Sequence, residues 1–251
     1  MIYGLWQSAS GLRTQDFKQS VIANNMATLD TPGFKPDSVA FAERLSEARL
    51  RGGFNSDRML RNITGGVVET EVYTNFAPGP INTTGNPLDL ALVNDGFLTV
   101  QTPDGPRYTR DGRLAKSPSG TLVHAGTGFP VLSDQGREIV IDTSSKEALK
   151  INSRGLIRQG LAEVGRIGVV DFADKHKLNK TGSNLYEAGV EPLPRPDADI
   201  QQGAVEQSAV DPVTTLVDMI AGSRAYELNA NFITLQDQTL GRVINDVGRV
   251  A

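Results

Sequence analysis

ANNMATLDTPGFK (residues 23–35) closes a helical pattern and opens a turn. Upstream of the turn, Leu5, Ala9, Leu12, Ile22, Met26 and Leu29 recur at helical spacing, which places them on one face of a helix over residues 2–29. Gly4 and Gly11 each weaken that helix by about 1 kcal/mol relative to Ala. The pattern stops at Thr31-Pro32-Gly33, where proline removes a donor and glycine permits a left-handed turn before Phe34. Asn24 and Asn25 are amides at the edge of the apolar face, placed either to cap the helix end or to meet an interface. A narrow apolar stripe at marginal helix length needs something to pack on. The comparable stripe lies near the other end of the chain, where Asp211-Pro212 supplies an N-cap carboxylate and a proline at the first helical position. Val217, Ala221, Leu228, Phe232, Leu235 and Val243 then follow at three/four spacing. Such a helix, roughly 50 Å long, resembles a coiled-coil stalk more than a globular core, and the two ends are expected to pair.

Between the ends the period changes. Residues 38–51 (SVAFAERLSEARLR) show helical spacing in Phe41, Leu45 and Leu50, and residues 52–66 read as irregular. From Gly66 the period is two: GVVETEVYTNF (66–76) reads as a strand, and LDLAL (88–92) alternates. The dipeptides Asp95-Gly96, Asp104-Gly105, Asp111-Gly112 and Ser119-Gly120 mark hairpins. Further strands are expected at 138–142, 148–152, 156–158 and 163–172, and PLPRPD (192–197) reads as a stiff connector. The expected fold is α+β, mainly β. It has a helical part at 1–37, an irregular or extended linker at 38–65, an all-β domain of short antiparallel strands at 66–205, and a second helical part at 206–251.

Composition narrows the function. The 251-residue chain is 39% hydrophobic and 22% charged, with a net charge of −4 and no basic block, which argues against a nucleic-acid partner. No apolar run approaches the roughly 20 residues of a membrane helix. Cysteine is absent, which removes disulfides, thiolate metal sites and a Cys nucleophile together. The N-terminus shows no cleavable signal pattern. His124 and His176, the two histidines, lie in no metal-ligand spacing, and neither a G-x-S-x-G elbow nor a P-loop occurs. Asp89, Asp95, Asp104 and Asp111 sit in or beside turn signals, where Asp serves backbone hydrogen bonds. No catalytic residue, cofactor, metal or small-molecule substrate is expected.

The signature at 23–35 resembles the N-terminal signature of bacterial flagellar rod and hook proteins, in which Ala-Asn-Asn is followed by a Thr-Pro-Gly-Phe-Lys or Thr-Thr-Gly-Phe-Lys turn. NPLDLALVNDGFLTV (86–100), YTRDG (108–112) and GTLVHAGTGFPVL (120–132) resemble the family's central β region. SAVDPVTTLVDMIAGSRAYELNANF (208–232) resembles its C-terminal helix, including Arg224 and Tyr226. Met26, Leu29-Asp30 and the MIYGLWQSASGL opening depart from the commoner pattern, and the length suits a rod subunit rather than a longer hook protein. The resemblance implies a structural subunit of the basal-body rod, proximal or distal, exported through the flagellar channel without cleavage. It would stack with copies of itself and other rod and hook axial proteins into a hollow, torque-transmitting shaft across the periplasm. It also implies an assembly interface at Leu5, Leu12, Ile22, Asn24, Asn25, Met26, Val217, Arg224, Tyr226, Leu228, Phe232 and Leu235, with Thr31, Pro32, Gly33 and Phe34 as the bend. Two alternatives are a surface-binding β-domain protein and a carbohydrate-active enzyme. The enzyme needs two inward carboxyls about 5–10 Å apart.

Overall fold

The computed structural model describes residues 2–44, 66–143, 145 and 147–247. The chain divides into two units, one formed by its helices with a β ribbon and one formed by the remaining strands. In the first, helix α1 spans Ile2–Ala27 and helix α2 spans Pro212–Val247. The start of α2 is set as expected. The Asp211 carboxylate accepts the Val213 and Thr214 amides at 2.9 and 3.2 Å, and those bonds hold its pKa below 3.8. Strand β1 (Asp37–Glu43) pairs with β2 (Val67–Thr74) and packs on α1.

The helical spacing read at 38–51 therefore gives way to a strand in its first part; residues 45–65 lie outside the described residues. The cause is at the end of α1. Asn25 donates its side-chain amide to the Asp37 carbonyl at 2.8 Å, and its Oδ1 accepts the Asp37 N–H at 3.0 Å. This pairing imitates a strand partner and holds Asp37 extended, and Val-rich β2 continues the ladder. Residues 38–43 are extended, as part of β1. Residues 66–73 group with the helices and 206–210 with the β strands.

The β unit holds residues 28–36 and 74–210. Its six-stranded antiparallel sheet runs β13 (Leu178–Gly182), β14 (Leu185–Ala188), β6 (Gly105–Thr109), β5 (Phe97–Thr102), β12 (Val169–Asp171) and β15 (Leu193–Pro194). A three-stranded sheet runs β11 (Ala162–Arg166), β10 (Leu156–Gln159) and β9 (Leu149–Ile151). Three two-stranded ladders complete it: β16 (Ile200–Gln202) with β4 (Leu90–Leu92), β17 (Ala204–Glu206) with β3 (Ile81–Thr83), and β7 (Leu114–Lys116) with β8 (Leu122–His124). The Asp104-Gly105 turn joins β5 to β6 as expected, with Gly105 at φ 116°. The segment read as one strand at 163–172 is two, β11 and β12, separated at Ile167-Gly168, where Gly168 donates to the Leu132 carbonyl and a side chain would lie 2.6 Å from the Ser133 carbonyl oxygen. Residues 138–142 form only isolated bridges, and the expected connector 192–197 contributes β15 to the sheet.

Leu98, Val100, Leu122, Val131 and Ile157 are fully buried in an aliphatic core. A second cluster stacks Tyr108 edge-on to Phe172 at 4.8 Å, with Phe97 against Phe76, Phe172 and Tyr186. Such pairs contribute about 0.5–1.5 kcal/mol each beyond area burial. His124, also buried, is structural. Its Nδ1 meets Thr127 Oγ1 at 2.9 Å and its Nε2 lies 3.3 Å from Asp111 Oδ2.

The signature turn docks into this unit. Gly33 donates its N–H to the Glu206 carbonyl at 2.8 Å, and Ala209 donates to the Phe34 carbonyl at 3.0 Å. Gly33 has φ 68°, and a Cβ there would lie 2.5 Å from the Arg110 carbonyl carbon, so both backbone and space require glycine. Lys180 stands 4.2 Å over the Phe34 ring and donates to the Lys35 carbonyl at 2.6 Å, while Asn184 donates to the Pro32 carbonyl. Beneath the turn, Glu206 is 1% exposed and accepts from three donors: Lys35 Nζ at 2.6 Å, the Gly79 amide at 2.7 Å and Arg110 Nε at 2.9 Å. Lys35 also donates to the Ala77 carbonyl, and Arg110 to the Asn94 and Gly96 carbonyls. Burial draws the Lys35 ammonium below 10.5 against the opposing pull of Glu206.

Glu206→Gln leaves two buried cations facing a neutral amide, and breaking such a pair costs about 3–5 kcal/mol. Chemical denaturation followed by tryptophan-independent circular dichroism in the β-rich region should show that loss; a change within 0.5 kcal/mol, the range of an ordinary surface substitution (about ±0.5), would contradict it. Acid acts through Asp111. Burial alone would raise its carboxyl, but His124 and the bidentate Arg113 outweigh burial and hold it below 3.8. A depressed folded pKa gives stability that is present above the unfolded value and lost as pH falls through the folded one. Thermal midpoints should therefore fall below pH 3.8, and Asp111→Asn should lower the neutral midpoint and flatten the acid limb. An unchanged acid limb would remove Asp111 from the account.

Candidate assembly face

The two terminal helices do lie together, as expected, but the row read on α2 is not what joins them. Gly4 faces Gln236 and Gly11 faces Asn229. Gln19 donates to the Met219 carbonyl at 3.3 Å and to Ser223 Oγ at 3.1 Å, close against Gly222. Numbers rise along α1 as they fall along α2, so the pair is antiparallel. Along both helices these meeting points recur at seven or nearly seven residues, so glycines set opposite amides form the seam. A side chain at Gly4 or Gly11 would come within 3.0 and 3.3 Å of those amides. Backbones approach closely here, and Met219, Ile233 and Leu240, on the same side of α2 as Gly222, Asn229 and Gln236, are half-buried.

The apolar stripe of α2 is left outside. Val217, Leu228, Phe232 and Leu235 are 59, 60, 56 and 57% exposed. Val213, Ile220 and Val243 extend the same row at three/four spacing, and all three are exposed. Arg224 is exposed within the same row, whereas Tyr226, 40% exposed, falls one turn from Gly222 and Asn229 on the side of α2 that meets α1. A groove of about 280 Å³, lined by Gly4, Phe232, Leu235, Gln236, Thr239 and Leu240, opens at the end of the seam. Contiguous exposed apolar surface of this kind marks an interaction site.

The residues expected on α1 divide. Leu5, Leu12 and Met26 are half-buried and Asn24 is exposed. Ile22 and Asn25, each 8% exposed, are enclosed within the subunit, and Asn25 bonds the Asp37 backbone. Thr31 and Pro32 are half-buried, and Gly33 and Phe34 are buried in the β unit. Sequence reading missed Lys35, Arg110 and Glu206, whose meeting depends on long-range topology. It also missed the glycine–amide seam, although the seven-residue steps from Gly4 to Gly11 and from Gly222 through Asn229 to Gln236 were there to read.

The carboxylates considered for catalysis have other partners or face solvent. Asp89 accepts from Thr84 Oγ1 at 2.7 Å and Asn86 at 3.0 Å, and Asp111 is held by Arg113. Asp95, exposed, pairs with Lys175 at 3.1 Å, and Asp104 is exposed at a hairpin. A groove of about 580 Å³ on the β unit carries Arg154, Arg166 and Arg195 with a single carboxylate, Asp134. Among the described residues no group of three or more His, Cys, Asp or Glu is placed to hold a metal ion.

Comparison with known proteins gives three family matches in chain order. The family described as flagella basal body rod protein matches residues 7–35, the flagellar hook protein FlgE/F/G D1 domain matches 91–159, and the flagellar basal body rod FlgEFG protein C-terminal family matches 201–246. The chain is 36% identical over 233 residues to the flagellar basal-body rod protein FlgF of Caulobacter vibrioides, covering 92% of this chain and 91% of that protein. It is 32% identical to the flagellar basal-body rod protein FlgG of Bacillus subtilis, covering 98% and 99%. To the FlgF of Salmonella typhimurium it is 30% identical, covering 94% of each. Relatives of both names thus match end to end, through the signature turn, the β core and the long C-terminal helix alike. The chain belongs to the flagellar basal-body rod protein family, as a structural subunit of the rod.

Proposed function

We propose that this subunit polymerises with copies of itself and with other axial proteins into a hollow helical shaft that passes torque from motor to hook. In this reading α1 and α2 form the inner layer as a coiled-coil-like antiparallel pair, and the β unit forms the outer layer. The chain reaches its place across the periplasm through the flagellar export apparatus, without cleavage of its N-terminus.

The observation that carries the reading is the exposed row on α2. Burying a side chain of this size contributes about 1.5–3 kcal/mol, and within one subunit the row stays in water. Covering that row with neighbouring subunits would therefore add to the stability of the helices. A subunit that presents an uncovered row and a different surface to receive it builds an open helical array rather than a closed ring. The groove at Gly4 and Leu240 is suited to take an apolar side chain from a neighbour. Val217, Arg224, Leu228, Phe232 and Leu235 are the proposed contact residues on one side of α2, and Tyr226 is a further one on the side nearer α1; Leu5, Leu12, Asn24 and Met26 are those on α1. Ile22 and Asn25 support them from inside the subunit.

Leu228→Asp with Phe232→Asp tests this without touching the β core. Both side chains already face solvent, so the isolated chain should keep its circular dichroism and β-unit melting. Incorporation into purified basal bodies should fall to background, and swimming should be lost. A double variant that assembles and swims normally removes the α2 row from the interface.

A further inference from the structure

The chain passes between its two units four times, after Ala27, Pro36, Tyr73 and Val210. On the β-unit side these passages belong to only three segments, 28–36, 74–80 and 204–210, and the three are bonded to one another. Segment 28–36 is tied to 204–210 by the Gly33–Glu206 and Phe34–Ala209 backbone bonds. Asn75 donates to the Pro36 carbonyl, which ties 74–80 to 28–36, and Gln207 donates to the Pro80 carbonyl, which closes the ring. The packing is tight: a Cβ on Gly79 would lie 2.5 Å from the Gln207 carbonyl oxygen. At the centre, the Glu206 carboxylate accepts from all three sides, from Lys35 on the first segment, from Gly79 on the second, and from Arg110 in the β core. Arg110 in turn grips the backbone before β5, so the carboxylate is anchored to the main sheet.

A hydrophobic plug could close the same space at no greater cost in stability. What the ions add is direction. Apolar packing slides under shear, whereas short charge-assisted hydrogen bonds resist displacement along their own axes. We infer that the Lys35–Glu206–Arg110 cluster is the force-transmitting joint of the subunit, the point at which load carried along the helices enters the β unit. This rests on the rod reading for its purpose, and its mechanics can be tested without a rod.

The natural chain has no cysteine, so pairs of introduced ones give unique attachment points for single-molecule pulling on the full chain. With Asp16→Cys and Gln135→Cys, tension runs down α1 and reaches the β unit at Thr28. With Asp104→Cys and Gln135→Cys, it crosses the β unit without entering through residues 28–36. In the first geometry Glu206→Gln should shorten the β-unit lifetime at constant force about tenfold more than in the second, the effect expected from losing one charge-assisted bond. Lys35→Met should show the same directional difference, and it decides the matter if Glu206→Gln does not fold. Equal shortening in both geometries makes the cluster an ordinary stabiliser and overturns the inference, as does no shortening in either. Failure of the rod reading would appear separately, as subunits that never enter basal bodies while the directional effect persists.

Discussion

Glu206 is a single carboxylate closed off from water, and the rest of the β unit's margin is arranged to make that tolerable. An isolated buried charge would be neutralised or expelled. Here two cations and a backbone amide surround it, and the spare donors of those cations end on carbonyls. The consequence reaches back to the sequence signature. Lys35 closes ANNMATLDTPGFK, and its side chain has to reach Glu206, so the chain must turn sharply at Pro32-Gly33. Gly33 lies against the Arg110 backbone for the same reason. The signature is thus two devices in series. Asn25 ends the helix by pinning Asp37, and TPGFK plugs the β unit.

The helical unit follows the opposite logic. Glycines set opposite amides position the two helices, and its most apolar row faces outward. An isolated subunit of this kind is poorly satisfied by design. The β unit, with its own aliphatic and aromatic clusters, needs no such help.

Local rules carried the reading where structure is local. The Asp211-Pro212 helix start, the Asp104-Gly105 hairpin and the alternating β segments were legible because caps, turns and period-two patterns act over a few residues. Residues 38–43 misled because Phe41 and its neighbours fit a helical period, while the deciding contact came from Asn25 on another element. The stripe on α2 was found, but its partner was misassigned: periodicity shows which residues share a face and not what covers it. The ion cluster was invisible, since Lys35, Arg110 and Glu206 are brought together only by the β topology. The family resemblance filled the gap for function, and the geometry then showed how the signature is used.

Amide hydrogen exchange on the isolated, full-length chain tests the central claim most directly, namely that the signature turn is part of the β unit although it follows helix α1 without a break. Exchange free energies separate cooperative units. The amides of Gly33, Gly79 and Ala209 should exchange only with global opening of the β unit, together with those of Leu122 and Val131, while the amides of α1 and α2 exchange much sooner. Exchange of Gly33 and Ala209 in step with the helices, ahead of the β core, would contradict the account.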